Sequence, residues 1–298
     1  MSAQPNNQTE SQTGKISVVR YNRSDALEML SRMPLGELMG MAHHARIKHQ
    51  PQQLVTFVVD TNPNYTNICV TCCDFCAFFR KAGHDEAYTL SPNELADRVK
   101  ASHTRGASTV LLQGGHNPEI GLQDWLAYIK AIQIACPKIH IHPFSPAEYS
   151  FISRLEKRPV EDILQAIYDE GIRTIPGGGA EILSERVRKE VARNKATTEE
   201  WLDVCEKAHH IGFRTTATMM FGHVETNEDI VTHLFRLREL QDRTGGFTSF
   251  VPWSFKPGDS PLSHRVPSRT HPARYVRIIA LARLVLDNFS HIQSSWFS

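Results

Sequence analysis

Hydrophobic residues change their spacing along this chain, and the changes mark its elements. Between residues 24 and 45 the apolar positions Ala26, Leu27, Met29, Leu30, Met33, Leu38, Met39 and Met41 follow helical spacing, with a break near Pro34 and Gly36. Residues 15–53 are therefore expected to form an N-terminal helical cap. Residues 1–14 carry Asn, Gln, Ser and Thr and almost nothing apolar, too little to offset the entropy of ordering, and read as a disordered tail. Beyond residue 53, short β-like runs alternate with amphipathic stretches. Strands are expected at 55–59, 108–112, 139–142, 173–175, 215–220 and 247–251, with helices starting near Ser91, Leu122, Pro159, Thr197 and Asn227. Two of those starts carry their own signals. Ser91-Pro92 puts Pro at the first helical position, and Thr198-Glu199-Glu200 puts acids in the first turn. A last helix is expected over 272–287, and 292–297 reads as a short strand with no helix after it.

Strand and helix alternating this regularly imply parallel strands with helical crossovers. Six such units point to an α/β fold, a TIM-type (β/α) barrel over residues 54–298 that is incomplete at its C-terminal end. In that fold the chemistry collects at the C-terminal ends of the strands. The chemically distinctive residues do follow the expected strands: Cys69 to Cys76 after the first, Gln113-Gly114-Gly115 after the second, Pro143-Phe144-Ser145 after the third, Gly177-Gly178-Gly179 after the fourth and His223-Val224-Glu225 after the fifth.

Composition narrows the partners. A length of 298 residues with 41% hydrophobic residues suits one catalytic domain. Its 33 Lys and Arg against 32 Asp and Glu leave a net charge of +1, with no basic run that would track phosphates, so nucleic acid is not an expected partner. No stretch approaches the roughly 18 apolar residues of a membrane span, and the N-terminus lacks signal-peptide character. A cytoplasmic enzyme acting on a small molecule is the expectation.

Four of the six cysteines crowd into residues 69–76, with Cys136 and Cys205 elsewhere, a clustering that favours metal ligation over disulfides. Cys69, Cys73 and Cys76 form Cys-x3-Cys-x2-Cys, three thiolates from one short loop. A zinc knuckle also uses closely spaced cysteines, but it needs a second pair of ligands that this loop lacks nearby. A four-iron cubane held by three thiolates instead leaves one iron open to chelate a substrate. Cys72 allows a second reading, Cys-x2-Cys-x3-Cys, so counting alone does not fix the ligand set.

The first spacing resembles the radical S-adenosylmethionine superfamily, with Phe75 at the aromatic position usual before the last cysteine. That resemblance implies a [4Fe-4S] cluster on Cys69, Cys73 and Cys76, and S-adenosylmethionine cleaved to a 5′-deoxyadenosyl radical. It also implies that Gln113, Gly114 and Gly115 approach the methionine end of the cofactor, with His116 standing where an acid is often found. Two glycines at a strand end also have a plain reading as turn residues. Ser145 and Glu148 are candidates for the ribose hydroxyls, against simple helix capping by Ser145. His140 and His142 share one strand face and read as inward polar residues, and 177–179 as a loop in close approach to a bulky ligand. His223 and Glu225, two residues apart, are the candidate acid and base.

Taken in order, Asn64-Tyr65-Thr66-Asn67-Ile68-Cys69, Phe75-Cys76-Ala77-Phe78, Gln113-Gly114-Gly115, His142-Pro143-Phe144-Ser145-Pro146, Thr218-Met219-Met220-Phe221-Gly222-His223 and Thr244-Gly245-Gly246-Phe247 with Pro252-Trp253 resemble the dehypoxanthinyl futalosine cyclase family of menaquinone biosynthesis. Related enzymes make aminofutalosine or the deazaflavin chromophore. The resemblance implies radical cyclisation of dehypoxanthinyl futalosine, begun by hydrogen abstraction at C4′ of its ribose. A reduced flavodoxin or ferredoxin would supply electrons, and His223 or Glu225 would remove the last proton. It also implies that relatives continue past residue 298, so that the barrel here would be truncated at its C-terminal end. The alternative outside catalysis is an iron-sulfur electron carrier, which normally adds a fourth cysteine.

Overall fold

The structure is a computed structural model and describes residues 20–52 and 54–295. The expected tail at 1–14 lies outside the described residues, as do residues 296–298.

Two helices come first, α1 (Arg23–Ser31) and α2 (Leu35–His49). The Asn22 side chain caps α1 by accepting from Asp25 N at 3.0 Å, and the Asp25 carboxylate accepts from Asn22 N at 2.9 Å. Pro34 lies between the two helices, as the break in apolar spacing indicated. Both pack against the last helix, α10 (Pro272–Val285), whose Arg277 donates to the Met29 and Met33 carbonyls at 3.0 and 2.7 Å.

Seven parallel strands follow in chain order: β1 (Asp60–Thr61), β2 (Thr109–Leu112), β3 (His140–Pro143), β4 (Thr174–Ile175), β5 (Arg214–Phe221), β6 (Phe247–Ser254) and β7 (His291–Ile292). The crossovers carry α3 (Pro92–Thr104), α4 (Leu122–Ala135), α5 (Pro146–Glu156), α6 (Val160–Asp169), α7 (Glu185–Val191), α8 (Thr198–Ile211) and α9 (Asn227–Thr244). Strands in sequence order with helical crossovers are the wall of a (β/α) barrel. Among the described residues the wall is an arc of two ladders, β1-β2-β3 and β4-β5-β6-β7. At their junction the Thr174 hydroxyl meets His140 Nε2 at 2.9 Å and His142 Nδ1 at 2.8 Å, so side chains bridge where the backbone ladder stops.

Two apolar clusters fill the shell behind the strands. One packs β2 and β3 against α3 to α6, with Trp125 stacked on Phe144 at 3.7 Å. The other packs β5 and β6 against α8 to α10, with Phe247 stacked on Phe289.

One expected strand is displaced. Residues 55–59 are not a strand. Val55 and Phe57 are 82% and 88% exposed, and pairing begins only where Val59 O accepts from Ser108 N, with β1 itself at Asp60–Thr61. The β-branched run lies at the outer edge of the arc, where β2 offers a partner only to its end. Of the strand expected at 292–297, residues 296–297 lie outside the described residues, and β7 pairs with β6 at His291–Ile292. Helix α7 was not expected, and α5 starts where capping by Ser145 was the alternative reading, with Pro146 and Glu148 completing the signal.

Candidate active site at the strand ends

The cysteine loop is pinned on both flanks. Before it, Thr66 and Ile68 bridge to Thr89 and Arg80, and Cys69 N donates to Arg80 O at 3.1 Å. Within it, Thr71 Oγ1 lies 2.9 Å from Cys69 Sγ and 3.7 Å from Cys73 Sγ, a hydroxyl between two of the three candidate sulfurs. Cys72 adopts a left-handed backbone at φ 47°, and its sulfur turns back to 3.6 Å from Cys69 O. All six cysteines are free thiols. Cys73 is buried, and burial pushes its thiol up to about 11, with Lys195 acting in the opposite direction.

The donor set suits an iron-sulfur cluster. Three sulfurs stand on one short loop, and no three His, Cys, Asp or Glu side chains among the described residues lie where they would share a single metal ion. A cubane takes each thiolate on a separate iron, so it needs no such single point.

Gln113, Gly114 and Gly115 sit at the end of β2, directly against the cysteine loop. A Cβ at Gly115 would collide with Ile68 O and press on Cys69 Cβ, so only glycine lets the two loops meet. Their amides are taken by protein: Gly114 N donates to Glu148 Oε1 at 3.1 Å and Gly115 N to Thr66 O at 2.9 Å. His116 O accepts from Val70 N at 3.0 Å. The His116 ring is stacked on Phe151, and burial, then Lys195, holds it neutral with its pKa down at about 3.

Ser145 and Glu148 come together at the end of β3, but facing each other. Ser145 caps α5, and its amide and hydroxyl both donate to Glu148 Oε2 at 2.7 Å. Glu148 Oε1 accepts from Tyr65 OH at 2.9 Å as well as from Gly114 N. Burial pushes the Glu148 carboxyl up even with these four bonds. The pair thus forms a brace that joins the ends of β2 and β3 to Tyr65, with four donors on the Glu148 carboxyl.

Gln113 and Ser145 do reach the end of β4. A Cβ at Gly178 would strike Gln113 Nε2 and crowd Ser145 Cβ, so three strand ends converge there. The loop 177–179 is therefore close to protein on this side: Gly177 N donates to Thr216 Oγ1 at 2.8 Å and Trp201 Nε1 to Gly178 O at 3.0 Å.

Sequence reasoning passed over Glu181 and Lys195. Glu181 takes a left-handed backbone at φ 45°, uncommon for a side chain of this kind, and pairs with Lys195 Nζ at 2.8 Å. Their side chains are 5% and 17% exposed, so this is an ion pair out of water. Lys195 Nζ lies 5.7 Å from the centre of the Phe75 ring. Burial opposes its charge, but Glu181 and Cys73 outweigh that and hold its pKa above the ordinary lysine value. The only sequence signal was an acid ending the glycine run.

His223 and Glu225 follow β5 as expected and are adjacent, with Nδ1 3.5 Å from Glu225 Oε2 and both side chains buried. Glu225 accepts from Gly222 N and His223 N at 2.6 and 2.8 Å. His223 Nε2 faces Met220 O at 3.1 Å. A carbonyl only accepts, so Nε2 carries the proton and Nδ1 is the basic atom, buried with no hydrogen-bond partner. Asp74 O, in the cysteine loop, accepts from Leu262 N, which ties this side of the mouth to the cluster loop.

Comparison with known proteins places this architecture. Residues 63–237 match the radical SAM superfamily, and residues 244–298 match the CofH/MqnC C-terminal region. The chain is 35% identical to the cyclic dehypoxanthine futalosine synthase of Halalkalibacterium halodurans, over 93% of this chain and 74% of that protein. It is 37% identical to the 5-amino-6-(D-ribitylamino)uracil–L-tyrosine 4-hydroxyphenyl transferase of Methanococcoides burtonii, over 92% and 77%. It is 42% identical to the FO synthase of Mycobacterium tuberculosis, over 81% of this chain but 29% of that protein. Among solved structures, the FeFe-hydrogenase maturase HydG from Carboxydothermus hydrogenoformans shares the fold, with a TM-score of 0.69 at 19% identity, over 93% of this chain and 62% of that one. With three thiolates on one strand-end loop of a parallel barrel wall, and a family match over most of its length, the chain belongs to the radical SAM superfamily, whose members use a [4Fe-4S] cluster and S-adenosylmethionine.

Proposed function

We propose that this protein is a radical cyclase that converts dehypoxanthine futalosine to its cyclic form, with Cys69, Cys73 and Cys76 holding the cluster. The observation that carries the reading is the likeness to a cyclic dehypoxanthine futalosine synthase along 93% of the sequence, cysteine loop and strand ends included. When bound, the cluster and S-adenosylmethionine supply a radical that abstracts hydrogen, here from C4′ of the substrate ribose. The carbon radical then adds to the benzoate ring, and loss of a proton to His223 and of one electron to the oxidised form of the electron carrier restores aromaticity. A reduced flavodoxin or ferredoxin suits the supply of electrons.

The protein's own part is to hold, enclose and deprotonate. Glu148 locks Tyr65, Gly114 and Ser145 together, which fixes three loops around the reacting space. His223 Nδ1 accepts the final proton, and the imidazolium so formed faces Glu225 Oε2.

A second reading has its own support. Identity is higher to the 4-hydroxyphenyl transferase, whose name gives L-tyrosine and 5-amino-6-(D-ribitylamino)uracil as reactants, and to FO synthase. Anaerobic incubation of the reconstituted protein with S-adenosylmethionine, reductant and each substrate set decides between them. Cyclised product from dehypoxanthine futalosine, with C4′ deuterium recovered in 5′-deoxyadenosine, is the expected result. Product from tyrosine and the ribityl uracil alone overturns it. In His223→Gln, 5′-deoxyadenosine still forms while cyclised product falls.

A further inference from the structure

We infer that the turn after α7 is a second wall of the cluster loop, and that its Lys195 ammonium, balanced by Glu181, sets the reduction potential of the cluster. This rests on the assignment of Cys69, Cys73 and Cys76 as cluster ligands. Three contacts put the turn there. Asp74 N donates to Val191 O at 2.9 Å, Asn194 Nδ2 donates to Thr71 O at 3.4 Å, and Lys195 Nζ lies over Phe75. Asp74 and Phe75 are the two residues between Cys73 and Cys76, and Thr71 carries the hydroxyl between two of the sulfurs. The end of α7 and the turn after it therefore touch the loop at three points, with the Lys195 cation over Phe75.

Charge makes this contact more than packing. Three thiolates outweigh the core of an oxidised four-iron cluster by one negative charge, and reduction adds another. Potentials of such clusters follow net charge, hydrogen bonds to sulfur and exposure. A cation shielded from water stabilises the reduced, more negative form, and an anion does the opposite. Lys195 and Glu181 are both shielded, and they carry opposite charges 2.8 Å apart. The left-handed backbone of Glu181 has a local cost, which the surrounding loop sustains so that the carboxylate meets the ammonium. Glu181 and Lys195 act through the thiolates and are positioning residues.

The test is EPR-monitored redox titration of the reconstituted cluster, without S-adenosylmethionine, in four variants. Lys195→Met is expected to lower the midpoint by the equivalent of a tenfold change in the oxidised-to-reduced ratio, about 59 mV for one electron. Glu181→Gln is expected to raise it, the double variant to fall between the two, and Lys195→Arg to stay near wild type. A purely structural role would move the two single variants the same way, or broaden the signal in both. Shifts of one sign, or unchanged midpoints with only weaker binding of S-adenosylmethionine in Lys195→Met, overturn the inference. Absence of a cluster in the wild type after reconstitution would instead remove the ligand assignment beneath it.

Discussion

The two ladders of the wall grip the cysteine loop by different means. On the β1 to β3 side the contacts are neutral: glycine against backbone at Gly115, amide to carbonyl at Val70 and His116, and a buried Glu148 held by a phenol, a hydroxyl and two amides. On the β4 to β7 side, bonds from Val191, Leu262 and Asn194 are joined by an ion pair, Lys195 with Glu181, whose ammonium lies over Phe75. Neutral donors fix position, because each bond is short-ranged and directional. A charge instead sets the energy of whatever charge sits opposite, across several ångströms. One wall is thus a jig and the other a field.

The largest effect is expected where both walls converge. Cys69→Ala, Cys73→Ala and Cys76→Ala each abolish iron-sulfur loading and 5′-deoxyadenosine formation, whereas Cys72→Ala, whose sulfur turns back on the loop, keeps both. Iron content and product analysis decide, and loss in Cys72→Ala with retention in Cys73→Ala would reassign the ligands.

Next comes the jig. Glu148→Ala strips the acceptor from Tyr65, Gly114 and Ser145 at once, and four orphaned buried donors at about 1–3 kcal/mol each predict a loss of at least about 4 kcal/mol in denaturant unfolding. A loss below about 1 kcal/mol would show that the three loops hold without it.

A pH series sharpens the same contrast. Burial raises the folded pKa of Glu148 above its ordinary 4.5, so the folded protein binds this proton more readily than the unfolded one. Its contribution to stability is therefore full below that value and is lost as pH rises through the folded pKa. Subtracting the thermal midpoint of Glu148→Gln from that of wild type isolates the group, and the difference should fall with rising pH over that window. A difference that rises would mean the four bonds outweigh burial.

The smallest effect is Asn194→Ala, which removes one 3.4 Å bond to Thr71 O and is expected to cost about 0.5 kcal/mol with the cluster retained.

How much of this the sequence disclosed follows the range of the interactions. Elements set by local period and capping were legible: β2, β3, β5 and β6 lie within a few residues of their apolar runs, and α3 starts at its Ser91-Pro92 signal. The 55–59 run misled because β-branched residues report suitability for a strand, not the presence of a neighbour to pair with. Helix α5 was legible only as the capping alternative for Ser145, although Pro146 is favoured at a first turn. At the site, the cysteine spacing and the His223–Glu225 pair are close in sequence, so their adjacency was legible. The bonds from Glu148 to Tyr65 and Gly114 were not, because those partners are brought in from other parts of the wall. The Glu181–Lys195 pair depends on how a loop and a short helix fold back, which no spacing rule encodes.

The junction of β3 and β4 gives the wall a seam. A backbone ladder fixes two strands at many points, but here one threonine hydroxyl, with a single proton, serves the rings of His140 and His142. It can donate to one ring and accept from the other, so the two imidazole tautomers are tied to each other across the join. Burial keeps His142 neutral, down at about 3, so the arrangement does not change charge near neutral pH. The cysteines belong to one half-shell and Lys195 to the other. Thr174→Val removes the one hydroxyl that the two rings share, and so loosens the join without touching the cysteines or Lys195.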